Sequence, residues 1–438
     1  MHSDDLCGKN ILILGAYGFI GAAVARALTA EGASVRGLVR NLPMGNKVLP
    51  GTQLIQGDLR NLNRSKDWQD LLQSVDIVVN CAGALQDGGQ DDLEVVHHTA
   101  IAALGQACAA REIAVIQISA IGAEPDAPTP FLNTKAAGDA ALRASGMPLW
   151  VLKPGLVIGQ SDYGGTALLR MLAAIPWVQP LAYPDTPVQC IGMPDLCRVV
   201  LSAAMDRLPQ GTYDLVEDTP HPLAEVVAAT RRWLGFRPAS THLRIPSALI
   251  KPIAAGADLL GRLGWRSPLR STAMTVMAQG VIGDPAPFRQ ASGQALASLP
   301  QIYAGLPCGR EHRLTARMTL LMPLVVGVLS LFWLLSGLFG LLGLSNAAQV
   351  LIGAGWAVPV AMLGVAFWSV VDIALGLAIL WRPWATRACL AQIGVALIYL
   401  ISASVLVPGL WADPLGPLVK VLPAMTLSLI AIPMLESR

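Results

Sequence analysis

Gly15, Gly18 and Gly21 are the residues whose type and spacing first suggest chemistry. They lie in Gly15-Ala16-Tyr17-Gly18-Phe19-Ile20-Gly21, directly after the apolar run Ile11-Leu12-Ile13-Leu14. A helical pattern follows at once, Ala22-Ala23-Val24-Ala25-Arg26-Ala27-Leu28. Strand, glycine turn and helix form the setting in which such glycines hold a dinucleotide. The first glycine allows the tight turn. The second admits a pyrophosphate against the backbone, and the third lets helix and strand approach. The helix N-terminus offers unpaired N–H groups to the phosphates. Gly15, Tyr17, Gly18, Phe19, Ile20 and Gly21 are therefore expected to contact a dinucleotide. A glycine-rich turn without ligand is the alternative.

The elements that must complete this site follow in order. Ala33-Ser34-Val35-Arg36-Gly37-Leu38-Val39 reads as a second strand and ends in Arg40-Asn41, with no acid in reach. An acid there would bond the ribose of NAD, whereas an arginine accommodates the phosphate of NADP. Arg40 therefore favours NADP over NAD, unless it is a solvated surface arginine. A third strand ends in Gly57-Asp58-Leu59, where Asp58 either contacts the adenine or caps the next turn. A fourth, Val75-Asp76-Ile77-Val78-Val79-Asn80, runs into Cys81-Ala82-Gly83, small enough for a cofactor to pass close to the backbone. Adjacent His97 and His98 fall on a helix over 93–110. They point to different sides, cannot form an i, i+4 metal pair, and read as partly exposed structural residues. Ser119 ends the fifth strand, Ala114-Val115-Ile116-Gln117-Ile118.

Composition places this site beside a membrane. Of 438 residues 53% are hydrophobic and 14% charged, and charges nearly vanish from about Met318 onward. The net charge of +2, without a basic tract, gives no case for nucleic acid. The seven cysteines carry no C-x-x-C pair and suit reduced thiols, and no metal site is expected. The acidic start, Met1-His2-Ser3-Asp4-Asp5, is neither a signal nor a transit peptide. Residues 245–265, with Lys251, Arg262, Arg266 and Trp265, suit either a membrane interface or a helix packed on the soluble part. Residues 283–309 read as an irregular approach to the membrane.

Four apolar runs, 318–342, 357–381, 388–407 and 415–435, each approach the ~20 residues that span a bilayer. Arg310, Arg313 and Arg317 precede the first, and Arg382 and Arg387 lie between the second and third. The loops around Ser345-Asn346 and Trp411-Ala412-Asp413 carry no Lys or Arg. The positive-inside rule then puts both termini and the dinucleotide domain in the cytoplasm, and Trp381, Trp384 and Trp411 in interfacial belts. Asp372 lies inside the second run. Such a residue is a functional candidate by default, and a protonated Asp bonding a neighbouring helix is the plainer alternative. Its partners are sought among Lys420, Gln392, Ser402 and Ser404, with depth against Lys420.

Taken together, the glycine triplet, Arg40, Gly57-Asp58-Leu59 and Cys81-Ala82-Gly83 resemble the extended and atypical short-chain dehydrogenase/reductase superfamily. Phe131-Leu132-Asn133-Thr134-Lys135-Ala136-Ala137-Gly138-Asp139 is similar to its Tyr-x-x-x-Lys helix. The stretch from Leu149 through Pro154-Gly155 to Gly159 resembles its sixth strand and Pro-Gly turn, which adds Pro154 to the cofactor contacts. Residues 188–205, with Asp195-Leu196, resemble a later helix region. The nearest branch holds the 39 kDa accessory subunit of respiratory complex I and the NmrA-like proteins, and the likeness covers about residues 8–300. It implies a doubly wound α/β Rossmann sheet with a small substrate-side lobe. It also implies that Lys135 binds the nicotinamide ribose and Ser119 orients a carbonyl. The departure is Phe131, which stands where the family has its tyrosine and carries no ionisable proton. Tyr163 is the nearby tyrosine. Residues 315–435 resemble DoxX-like membrane proteins.

These readings give three parts: a dinucleotide-binding domain with its lobe over 1–300, a linker over 301–315, and an all-α four-helix transmembrane bundle over 316–438. The expectation is a multi-pass protein of the bacterial inner membrane. It would oxidise NADPH with a quinone or another lipid-soluble substrate, the product protonated by water. The alternative is a non-catalytic NADPH-binding structural or redox-sensing partner of a membrane complex. A third reading, a transporting bundle regulated by the soluble domain, rests on Asp372 alone.

Overall fold

Parallel strands account for the apolar runs of the first part of the chain. In the computed structural model these are β1 (Asn10–Leu14), β2 (Ser34–Val39), β3 (Gln53–Gln56), β4 (Ile77–Asn80), β5 (Ala114–Ile118) and β6 (Leu149–Pro154). They alternate with helices α1 (Phe19–Ala30), α2 (Leu42–Val48), α3 (Ala100–Ala109) and α4 (Pro130–Ser145). The structure describes residues 6–85, 87, 92–265, 267, 269–414 and 416–436. The acidic residues 1–5, Arg266 and Leu415 lie outside them. The chain forms two units, Met1–Asp258 with Ser267–Arg313, and Leu259–Arg266 with Leu314–Arg438.

Alternation of side chains along β1 builds both faces of the sheet. Ile11 and Ile13 join one apolar core with Leu28 of α1, and Leu12 and Leu14 join the other with Leu104 of α3. The residues after Pro154 add a lobe, with β7 (Leu156–Ile158), α5 (Gly165–Ala173), β8 (Val178–Leu181), β9 (Pro187–Val188) and β10 (Cys190–Gly192), before α6 (Met193–Ala204) packs back on the main core beside α1. β11 (Gly211–Leu215) returns to the main sheet, whose order is β11-β6-β5-β4-β1-β2-β3. Every pairing in it is parallel. Strand order reverses between β1 and β4, and ligands of such sheets bind at the carboxyl ends beside that reversal.

Next come β12 (His221–Pro222), α7 (Leu223–Trp233), β13 (Thr241–Arg244), α8 (Ser247–Arg262) and α9 (Ser271–Gln279). Residues 283–309 are not irregular. They carry α10 (Ala286–Ser292) and α11 (Leu299–Ala304), and Phe288, Leu299 and Ile302 are buried. Two buried carboxylates hold this strap by its backbone. Asp195 accepts from the N–H of Ala297 (2.8 Å) and Glu217 from that of Leu299 (2.6 Å).

The second unit holds α12 (Arg310–Leu342, from Leu314 onward), α13 (Leu344–Gly353), α14 (Val358–Ala378), α15 (Ala385–Leu406) and α16 (Pro417–Glu436). Among the described residues, four helical segments are long and apolar enough to cross a membrane. The turn around Ser345-Asn346 is itself helical, as α13. Small residues let α12 and α14 touch. A Cβ on Gly337 would stand 2.3 Å from the Ser369 carbonyl oxygen, and one on Gly376 would stand 2.9 Å from the Leu334 amide nitrogen. Packing of this kind holds helices together where apolar burial gives no drive.

Gly376→Leu forces these backbones apart. It is expected to cost about 1–3 kcal/mol, the usual price of overpacking. Reversible unfolding in mixed micelles measures it, and an unchanged midpoint contradicts the contact.

Candidate functional site

The glycine loop leaves the end of β1 at the strand-order reversal. Gly15 has φ +68°, and a Cβ there would lie 2.8 Å from Cα of Ala82 and 3.1 Å from the Cys81 carbonyl oxygen. Only glycine fits on both counts. Gly18 donates its N–H to the Gly15 carbonyl at 2.9 Å and serves as the N-cap of α1. A Cβ on Gly21 would come within 2.3 Å of the Gly15 oxygen, so the third glycine closes α1 onto its own loop. The first turn of α1 carries no acid, which leaves its N–H groups and dipole for an anion. Tyr17, Phe19 and Ile20 are half-buried, and the Phe19 ring approaches Gly159 beyond β7. The residues present therefore fit a dinucleotide pyrophosphate.

Arg40 directly follows β2 and is exposed. Asp58 takes a capping role: it accepts from the Arg60 N–H at 3.0 Å and from its guanidinium at 3.0 and 2.7 Å. The Arg60 guanidinium holds the Asp58 carboxyl below the usual range, and Arg40 adds to this. Leu59 is buried beneath. Across the loop, Cys81 donates its N–H to the Leu14 carbonyl at 3.1 Å, and burial pushes its thiol up to about 12. Ala82 donates to the Asn80 side chain at 3.0 Å, and Gly83 is exposed. Pro154 is buried at the end of β6, in register with Leu215.

Helix α4 carries the second half of the site. Thr129 caps it and Pro130 opens it. Phe131 and Lys135 follow one turn apart. Lys135 is buried and donates to the Ile118 carbonyl at 3.0 Å, with Nζ 6.0 Å from the Phe131 ring centre. Burial lowers its pKa, opposed by the charge of Asp139. Ser119 is also buried, and its hydroxyl donates to Asp139 at 2.5 Å. Gln117 donates to the other Asp139 oxygen at 3.1 Å and accepts from Asn80 at 2.8 Å. The Ser119 proton is thus committed inward, away from any carbonyl it was expected to orient. Tyr163 stands ahead of α5 with an exposed ring, its N–H bonded to Thr166.

His97 is the residue that sequence reasoning placed wrongly. It is 2% exposed, where partial exposure was expected; His98 is the partly exposed member and pairs with Glu94. His97 sits on a single π-turn, Val95–Thr99. A Cβ on Gly138 would stand 1.9 Å from its carbonyl oxygen, so glycine lets α4 press against that turn. Its Nε2 accepts from the Ala84 N–H at 3.1 Å, which leaves the ring proton on Nδ1. Nδ1 donates to Thr134 at 3.0 Å, and Thr134 donates on to the Pro130 carbonyl at 2.8 Å. Burial, with the Lys135 charge behind it, lowers the imidazole to about 2. His97 is neutral, packs edge-on to Phe131 at 5.7 Å, and supplies no proton. Its spacing offered a signal: His97, Ile101, Leu104 and Cys108 form one buried helical stripe.

Beyond Gly159 a small cavity is lined by Ile158, Arg170, Thr230, Trp233 and Tyr303 among others. Arg170 is buried, lies 4.8 Å from the Trp233 ring centre, and donates to the Gly159 and Gln160 carbonyls at 2.7 and 2.9 Å. Asp372, in the second unit, has partners that the sequence did not suggest. Ser336 of α12 and Tyr399 of α15 each donate to it at 2.7 Å. Gln392 is engaged with Ser428 and Leu375, Ser402 with Ile398, and Ser404 with Trp411. Lys420 is exposed.

Residues 15–169 match the NAD(P)H-binding family model, and residues 330–429 match that of the DoxX-like family. A ceramide reductase of Caulobacter vibrioides is 25% identical over 250 residues, 55% of this chain and 75% of that protein. The mitochondrial NADH-ubiquinone oxidoreductase 40 kDa subunit of Neurospora crassa is 23% identical over 264 residues, 57% of this chain and 66% of that protein. The crystal structure of Bordetella bronchiseptica WbmG with NAD aligns at TM-score 0.50 and 18% identity, over 68% of this chain and 92% of that one. The expectation of NADP is overturned here, because solved structures of this fold hold NAD.

The His97 shift carries a pH signature. A pKa depressed by folding gives stability that is full above the unfolded value, near 6.5, and lost as pH falls below it. Stability is expected to fall there by ~1.4 kcal/mol per pH unit from this group. Denaturant unfolding between pH 7 and 5 measures the slope, and His97→Gln should remove that part; an unchanged slope contradicts the neutral buried imidazole.

Proposed function

We propose that this chain, an N-terminal NAD(P)-binding domain fused to a C-terminal DoxX-like four-helix membrane domain, is an oxidoreductase that reduces a lipid-soluble acceptor with NADH. The soluble domain has the fold of the broad short-chain dehydrogenase and epimerase-dehydratase superfamily. The observation that carries the proposal is the pair Phe131 and Lys135 on consecutive turns of α4, beside a Ser119 whose proton is bound to Asp139. Lys135, which would bond a ribose, remains, while Phe131 stands where the family has its proton donor.

The dinucleotide, when bound, supplies a hydride. In this reading Gly15, Tyr17, Gly18, Phe19, Ile20 and Gly21 hold its pyrophosphate. Arg40, Asp58 and Leu59 border the adenosine. Cys81, Ala82, Gly83 and Pro154 line its path, and Lys135 bonds the nicotinamide ribose. Among the described residues, Phe131 carries no acidic proton and the Ser119 proton is bound to Asp139, so neither protonates an alkoxide. The acceptor that suits this is a quinone, whose reduced oxygen takes its proton from water. The membrane spans keep such a substrate at hand, and the likeness to a ceramide reductase supports a lipid-soluble one. The arginine distribution supports cytoplasmic termini in a bacterial inner membrane.

A second reading has its own observation. Phe131 closes the proton route for carbonyl substrates, and the chain is similar to a 40 kDa subunit of NADH-ubiquinone oxidoreductase. The domain would then hold NAD as a structural or sensory ligand of a membrane complex.

NADH oxidation by the full chain in lipid, with a panel of quinones and lipid ketones, separates the two. The first reading predicts quinone-dependent turnover that Gly18→Ala with Gly21→Val abolishes. Phe131→Tyr should raise ketone reduction by about 10²-fold, in the range of general acid catalysis, and change quinone reduction little. No turnover above the glycine double substitution contradicts the enzyme and leaves the second reading.

A further inference from the structure

Helix α8 has more apolar surface than the fold uses. At about 100° per residue, Ile250, Ala254 and Ala257 share one stripe about 60° wide. All three are buried, and Ile250 and Ala254 pack with Met274 against Tyr183 and Ile245. Leu249, Ile253, Gly256, Leu259 and Leu260 occupy a different arc, about 120° wide. Its four large side chains are between 42% and 60% exposed. Lys251, Asp258 and Arg262 fall on a third, about 40° wide, roughly opposite that face. Asp258 there is paired with Arg270, which leaves a basic balance.

The end of this helix joins the second unit. Leu259–Arg266 belongs to the same unit as the long apolar helices, and the chain returns to the first unit at Ser267. The Leu263 carbonyl accepts from the Arg382 N–H at 2.9 Å. Trp265 donates to the Leu380 carbonyl at 2.6 Å, and the Arg382 guanidinium lies 5.6 Å from its ring centre. These partners form the turn between α14 and α15, where Trp381 and Trp384 stack at 5.8 Å and stay half exposed. Exposed tryptophans with Arg382 and Arg387 at the mouth of two spans mark the level of the lipid headgroups. α8 thus runs without a break into a segment anchored at that level.

We propose that α8 is an interfacial helix. Its Leu249, Ile253, Leu259 and Leu260 face lies in the bilayer at the headgroup–acyl boundary, with Lys251 and Arg262 toward anionic headgroups. An apolar arc opposite a basic one, joined to a membrane anchor, is the pattern of helices that lie in this plane. A lipid surface is the occupant because the chain delivers the helix to it covalently; a second copy of the chain would need this face free of lipid. The inference rests on the multi-pass topology and stands whether or not the soluble domain is an enzyme.

Photo-crosslinking tests it on the full chain in phosphatidylethanolamine and phosphatidylglycerol vesicles. A diazirine-bearing amino acid replaces Leu249, Ile253 or Leu260, one at a time, and Lys251 as the polar-face control. Mass spectrometry of the adducts should find phospholipid at 249, 253 and 260, about tenfold above position 251, as expected for an apolar face in lipid and a polar one in water. Only water adducts at all three positions, or links from 253 to a second chain, overturn it. The three positions are independent, and each replaces a side chain that is already exposed, so the fold does not depend on any one of them.

Discussion

Asp139 is a carboxylate at 1% exposure, and much of the dinucleotide site follows from having to satisfy it. A buried carboxylate stays folded only if its oxygens are hydrogen-bonded. Ser119 and Gln117 do this, Gln117 is held by Asn80, and Asn80 holds the backbone of Ala82. One chain of hydrogen bonds therefore ties α4 to the ends of β5 and β4. Ala82, at its far end, is the residue that a Cβ on Gly15 would strike. The same carboxylate supports the charge of Lys135 one turn earlier on α4, against the cost of burial. Fixing the cofactor side and withdrawing the Ser119 hydroxyl are consequences of one interaction.

Phe131 has a similar double effect. An aromatic ring in this place fills the space against His97 and Lys135 without offering a proton. His97 could have replaced the missing acid, but its Nε2 is spent on the Ala84 amide and its proton on Thr134. In the proposed reading the site keeps Lys135 for the ribose, while among the described residues Phe131, Ser119 and His97 offer no proton. This separation is why an acceptor that draws its proton from water suits it better than a simple ketone.

The parts legible in sequence were those set by local pattern. The glycine triplet, the parallel strands and the four spans each follow from spacing or apolar length, and each stands in the structure. What sequence missed depended on long-range partners. The inward turn of Ser119 depends on a residue twenty positions away, and the partners of Asp372 come from helices on either side of its own in sequence. Residues 283–309 looked irregular because their order comes from Asp195 and Glu217, not from their own composition. NADP was inferred from Arg40 alone, whereas solved structures of this fold hold NAD. α8 shows the reverse case: its sequence suited both a packed helix and a membrane-facing one, and its separate arcs allow both.

The central claim is that the glycine loop and the Asp139-tied elements around it hold NAD. The most direct test is native mass spectrometry of the full chain released from lipid, with the bound nucleotide then identified by its own mass. The account predicts one NAD or NADH per chain, absent when Gly15 is replaced by a residue that must strike Ala82. NADP in that place, or a chain that carries and takes up no dinucleotide, would contradict it.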